Sequence, residues 1–237
     1  MAKVLILQNH PDFDAGSFAE ELKSREIDFD YHKVFESGAP QPELLSGVKG
    51  LIILGGPLSF RVDQVEKNPK LLEQISFLRV ALEAHQPMIA VSQGACLLAA
   101  AQGAWVEKAP KAVTGWTQGE IYSDYSRNSV IYSKVEEKRI PAFSYLDTFH
   151  GFPPKGYWYV YHPDCRYFSS GIHGNCYLFN FHPEVTEALL KTWVQKFPQD
   201  FGGEEAAQAL LSGIDKKLDY SKDFSRKIIH AFASFLR

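Results

Sequence analysis

An α/β fold, with a mostly parallel central sheet flanked by helices and a small β extension, is predicted by three observations. Short runs that are almost wholly apolar, at residues 3–8, 50–54 and 88–91, have the texture of parallel strands buried on both faces. Segments of helical periodicity separate them. After Gly103 the pattern changes to short β-rich pieces joined by polar turns. The chain has 237 residues, 45% of them hydrophobic, enough to fill one three-layer core, so residues 1–237 are read as a single domain.

Each element has a local reason. Residues 3–8 form the first strand, which His10-Pro11-Asp12 interrupts before an amphipathic helix over 17–26. Residues 28–34 alternate enough for a second strand, 42–45 form a short helical turn, and 50–54 a third strand. Asn68-Pro69 opens a helix to about His85, with Leu72, Ile75, Phe77, Leu78, Ala81 and Leu82 at helical spacing. Past Gly103, strands are expected around 105–106, 120–125, 130–132 and 143–149, forming a smaller, partly antiparallel sheet. Residues 157–161 are expected as an edge strand whose aromatics pack under a loop. A strand at 177–181 and helices at 184–197 and 220–236 complete the chain. The last helix carries Ile228, Ile229, Phe232, Phe235 and Leu236 as a stripe for the core or a dimer contact.

Charge and cysteine content exclude several function classes. A net charge of -3 with mixed signs gives no basic field for nucleic acid and no polybasic patch for a membrane surface. The first residues lack the length and cleavage site of a signal peptide, and no run reaches the ~20 apolar residues of a membrane span. A cytoplasmic protein is expected. Cys96, Cys165 and Cys176 are odd in number and lack metal spacing, so they are read as reduced thiols. None of the eight histidines has helical two-His spacing; neither a metal nor a cofactor is expected.

The chemistry centres on residues 87–103. The apolar run Met88 to Val91 meets Ser92, then Gly94, then an Ala/Leu-rich helix ending at Gly103. Strand, sharp turn and helix in that order lift the polar residue clear of the backbone and aim helix N-terminal amides at what it attacks. This is the form of a nucleophile elbow, with Gly94 where the two backbones come close. By itself it reads better as a helix-capping Ser with no chemistry. Phe181-His182-Pro183-Glu184 tips the balance: a strand ending in a His, with an acid two residues on, supplies an oriented base for a hydroxyl.

Together these stretches resemble the class I glutamine amidotransferase (triad glutaminase) family. Phe181 to Glu184 repeat its Phe-His-Pro-Glu signature, and Ala90-Val91-Ser92-Gln93-Gly94 falls on its Gly-x-Cys-x-Gly elbow, with Leu97-Leu98-Ala99 beyond. Gly55-Gly56-Pro57-Leu58-Ser59 is similar to its oxyanion loop, and Lys111 to Trp116 to the segment after the elbow helix. The resemblance implies a flavodoxin-like fold and a Ser92, His182, Glu184 triad. It also implies an oxyanion hole from the amides of Gly56 and Gln93, and a pocket lined by Gly55, Cys96 and His150. The last lies in a Thr-Phe-His-Gly stretch similar to the family's Trp-His segment. Three departures stand out: Ser92 replaces the family's Cys, Ala90 the first Gly of its elbow, and Cys96 its common Gln. Cys96 is about one turn beyond the elbow, ~6 Å along the axis, and reads as a packed helix residue.

The implied substrate is glutamine or a related amide, with a synthetase partner subunit to receive ammonia, since no synthetase domain is legible in the chain. Two alternatives stay open: a Ser-His-Glu serine hydrolase or peptidase, and a non-catalytic domain binding a metabolite or a partner.

Overall fold

A computed structural model describes residues 3–236. The chain begins with β1 (Lys3–Gln8), α1 (Gly16–Ser24), β2 (Asp28–Lys33), α2 (Val34–Ser37) and β3 (Val48–Ile53). Then come α3 (Pro69–Glu83), β4 (Met88–Val91), α4 (Gln93–Ala101) and the long β5 (Val106–Ile121). The one-turn α5 (Ser123–Ser126), β6 (Arg139–His150), β7 (Gly156–Tyr161), β8 (Ser169–Ile172) and β9 (Cys176–Phe179) follow. Helices α6 (Glu187–Lys196), α7 (Glu204–Ala209) and α8 (Asp215–Ala233) close the chain.

The described strands form one sheet in the order β2-β1-β3-β4-β9-β8-β7-β5-β6. From β2 to β9 every neighbour is parallel; from β9 to β6 every neighbour is antiparallel. The β extension is therefore continuous with the central sheet, not the separate smaller sheet expected. Strand β9 is the seam, pairing Val91 with Phe179 on its parallel side and Ser169 with the same Phe179 on the other.

Burial explains the parallel half. Strands β3 and β4 have almost no exposed side chain, and their residues join one core with Leu71, Ile75 and Leu78 of α3. Helix α4, mostly Ala and Leu, is buried nearly all round. Asn68 caps α3 by accepting a hydrogen bond from the Lys70 amide, and Pro69 occupies the first turn, where its missing N–H costs nothing. Ser17 on α1 donates to Ser225 on α8, which in turn donates to the carbonyl of Pro183, tying both helices to the segment after β9.

Three other expectations are corrected. The strand expected over 120–125 stops at Ile121, where β5 ends and α5 follows. Residues 130–132 are not a strand: the Ser129 hydroxyl accepts from the amides of Ile131 and Tyr132 and turns the chain into a 3-10 helix, Tyr132–Lys134. Residues 157–161 are not an edge, because β8 covers one side and the end of β5 the other. Strand β8 went unforeseen because Ser-Ser-Gly-Ile offers no apolar alternation.

Candidate active site

Strand β4 ends at Val91, and the ladder continues one residue further: the Ser92 amide donates to the Phe179 carbonyl at 2.7 Å. Ser92 then turns the chain with φ 52° and ψ -126°, a backbone conformation natural to glycine and strained for any residue with a Cβ. Helix α4 starts at the next residue. A Cβ on Gly94 would run into the carbonyl oxygen of Ile53, so only glycine lets helix and β3 approach this closely.

The loop after β3 closes onto the elbow. Asn9 fixes its start by donating to the Leu54 carbonyl at 2.7 Å. A Cβ on Gly55 would lie 2.9 Å from the Ser92 Cβ and 3.3 Å from the Gln93 amide nitrogen. Gly56 donates its amide to the side-chain oxygen of Gln93 at 3.4 Å. The two positions implied for an oxyanion hole thus face one another across the turn.

His182 follows β9, with its amide donating to the Phe143 carbonyl of β6 at 2.7 Å. Its Nδ1 pairs with Glu184 Oε1 at 2.7 Å, the contact that fixes the ring proton on Nδ1 and leaves Nε2 as the basic lone pair. Nε2 and Glu184 Oε2 have no hydrogen-bond partner among the described residues. The ring is held by aromatics: Trp193 at 4.8 Å between centroids, Phe13 at 6.1 Å and Tyr145 at 6.3 Å. These are themselves anchored, Trp193 donating to the Asp12 carbonyl and Tyr145 to Asp200. They belong to a second apolar core that includes Leu189, Leu190 and Phe201 and wraps the His182 side of the site.

The Ser92 hydroxyl points elsewhere. It lies 2.6 Å from Gln93 Oε1 and 2.9 Å from the Tyr145 carbonyl, and its single proton is shared between them. The Ser92–His182 hydrogen bond expected of an assembled triad is not made, because β6 and the neighbouring glutamine supply the nearer acceptors. Both Ser92 and His182 are 0% exposed, so the site is closed to solvent.

The remaining residues implied by the resemblance lie close by in the fold. The thiol of Cys96, one turn along α4, donates to the Thr148 carbonyl and is fully buried, which pushes its pKa well up and keeps it protonated. His150 donates from Nδ1 to the Gly151 carbonyl and accepts from Asn180 at Nε2. Burial lowers its pKa to about 4, so it is neutral. Among the described residues no group of three or more His, Cys, Asp or Glu could hold a metal ion, and no helix is long and apolar enough to cross a membrane.

Several residues that shape the site were not singled out from sequence: Phe13, Tyr145, Trp193 and Asp200 are distant in the chain and meet only through β6 and the helices after His182. Arg61 and Asp63, paired at 2.7 Å on the turn beyond the Gly55-Gly56 loop, and the buried Asp147 of β6 were missed as well; the hydrogen bond to Asp63 is the main cause of the raised pKa of Arg61, and the Asp147 charge adds to it. Nothing in their local sequence marks them.

The fold has counterparts among known structures. A glutamine amidotransferase from Methylobacillus flagellatus superposes with a TM-score of 0.87 at 20% identity, covering 100% of this chain and 96% of that one. A second, from Thermotoga maritima, gives 0.84 at 18% identity over 98% and 97% of the two chains. A chain of PurLQS, also from Thermotoga maritima, gives 0.57 at 15% identity over 100% and 99%. The likeness is one of fold: the chain has the class I glutamine amidotransferase-like α/β architecture over its full length. No protein-family model matches the sequence, and no curated protein does.

Proposed function

We propose that this protein is a glutamine amidotransferase-type amide hydrolase in which Ser92 stands as the nucleophile, His182 as the base and Glu184 as the group that orients it. The observation that carries this reading is the strained backbone of Ser92, φ 52° combined with ψ -126°, at a position where glycine would fold more easily. A strained side-chain-bearing residue is expected where the side chain has work to do.

The reaction would run by nucleophilic acyl transfer. After a rotation about χ1, Ser92 Oγ attacks the carbon of a primary carboxamide while His182 Nε2 takes its proton. The amides of Gly56 and Gln93 receive the oxyanion, and His182 returns the proton to the departing ammonia. Water then releases the acid. Glutamine is the substrate the fold favours. The ammonia would pass to a synthetase partner or to solution, and three buried free thiols suit a reducing cytoplasm.

A second reading, a non-catalytic domain that binds a metabolite or a partner, is favoured by one observation: the Ser92 hydroxyl is bonded away from His182. Ser92→Cys separates the two, since it places the more easily ionised nucleophile in the same elbow. Ammonia release from glutamine is expected to rise in Ser92→Cys and to vanish when His182→Ala is added. If Ser92→Cys releases none, with or without co-purified partners, the hydrolase reading fails. Ester or peptide cleavage by the unaltered chain, lost in Ser92→Ala, would replace the amide substrate with a serine-hydrolase one.

A further inference from the structure

We infer that Gln93 is a built-in substrate surrogate, whose side-chain carboxamide occupies the acyl-oxygen site and must swing out before an external amide can bind. The inference rests on the proposed reading only in identifying that site with the Gly56 amide and the elbow.

The contacts are those of a bound primary amide. Gln93 Oε1 accepts from the Ser92 hydroxyl at 2.6 Å and from the Gly56 amide at 3.4 Å, while Nε2 donates to the Pro57 carbonyl at 3.4 Å. Two donors thus face the oxygen and one acceptor faces the nitrogen. That pattern matches a carboxamide and disfavours a carboxylate, whose second oxygen would confront the Pro57 carbonyl. The same pattern would expel the acid formed by hydrolysis. The side chain is wholly buried, and a Cβ on Gly55 would sit 2.9 Å from Oε1, so a larger residue at 55 would press the Gln93 side chain out of this position. While Gln93 stays, it holds both the Ser92 proton and the Gly56 amide that an incoming carboxamide needs. Residue 93 therefore sets access as well as contributing its backbone amide.

Iodoacetamide provides the test, because it carries a primary carboxamide and its alkylation of a thiolate, with loss of iodide, needs no enzymatic activity. Labelling is followed by peptide mass in Ser92→Cys and in Ser92→Cys/Gln93→Ala, with Gln93→Ser in place of the alanine if the latter does not fold. The thiol introduced at position 92 should label at least fivefold faster in the double variant, with Cys96 unlabelled in both. A smaller gain, or labelling of Cys96 in parallel, which would signal general loosening of α4, overturns the proposal. Glutamine hydrolysis is measured in the same samples. Its absence from both, alongside faster labelling, would remove the glutaminase reading and leave the gate standing; its presence in both at equal labelling rates would do the reverse.

Discussion

Replacing Ser92 by glycine should make the protein more stable than replacing it by alanine, although elsewhere in helices and strands the order is the opposite. Both variants lose the hydroxyl and its hydrogen bond, a cost of about 1 kcal/mol that cancels in the comparison. What remains is the backbone. Alanine keeps the strain of φ 52°, ψ -126°, of order 1–3 kcal/mol, whereas glycine adopts it freely. Against this stands the extra chain entropy glycine brings to the unfolded state, about 0.5–1 kcal/mol. The net gap is about 1 kcal/mol at the centre of these ranges, with about 2.5 kcal/mol as its upper bound, in favour of Ser92→Gly, a melting difference of roughly 2–5 °C for a domain of this size. Urea unfolding of the two variants at neutral pH measures it, with Ala99→Gly in the buried last turn of α4 as the control of opposite sign, expected to cost about 1–2 kcal/mol. Equal stability, or Ser92→Ala the more stable, would mean that the elbow stores no strain, and the argument for a nucleophile at this position would lose its physical basis.

Other consequences are as open to measurement. His150, with its pKa lowered to about 4 by burial, is neutral in the fold while an unfolded chain protonates near pH ~6.5. The stability this confers is complete above pH ~6.5 and is lost as the pH falls, by about 2 kcal/mol at pH 5 and about 3 kcal/mol at pH 4; in His150→Gln the stability–pH curve should flatten across that window. Gly94→Ala drives a Cβ into the Ile53 carbonyl, where backbone must move, and should cost more than about 3 kcal/mol or prevent folding, as read by circular dichroism. Thr186 caps α6 by accepting from the Leu189 amide at 3.3 Å, so Thr186→Ala should lower stability by about 1 kcal/mol in a denaturant titration.

The parallel half of the fold was legible because its signals are local. The apolar run 88–91 before Ser92 and Gly94 marks a strand, a turn and a helix without any tertiary information, and β1 and β4 occur at the expected residues. The antiparallel half was legible only in texture. Its strands carry Ser, Gly and Thr on buried faces, as at Ser169-Ser170-Gly171, and what makes them strands is the neighbour on either side. For the site, Ser92, His182, Glu184, Gly55 and Gly56 could be named because each sits at the end of a strand with a motif around it. The direction of the Ser92 hydroxyl could not, since its acceptors are a backbone carbonyl 53 residues away and a side-chain rotamer of Gln93. Nor could the Phe13, Tyr145 and Trp193 enclosure, whose members are joined only by packing.

Strand β6 ends the sheet, and an edge strand is ordinarily a hazard because its unpaired carbonyls and amides can recruit another chain. Here part of that bare edge is spent inside the molecule: the carbonyls of Phe143, Tyr145 and Thr148 take hydrogen bonds from His182, Ser92 and Cys96. Two of these donors, Ser92 and His182, belong to the proposed site, so the same residues help keep the edge from sticking. Any movement of β6 that frees Ser92 for substrate also bares three backbone acceptors to solvent and to other molecules. Variants or conditions that favour the open site should therefore self-associate more readily.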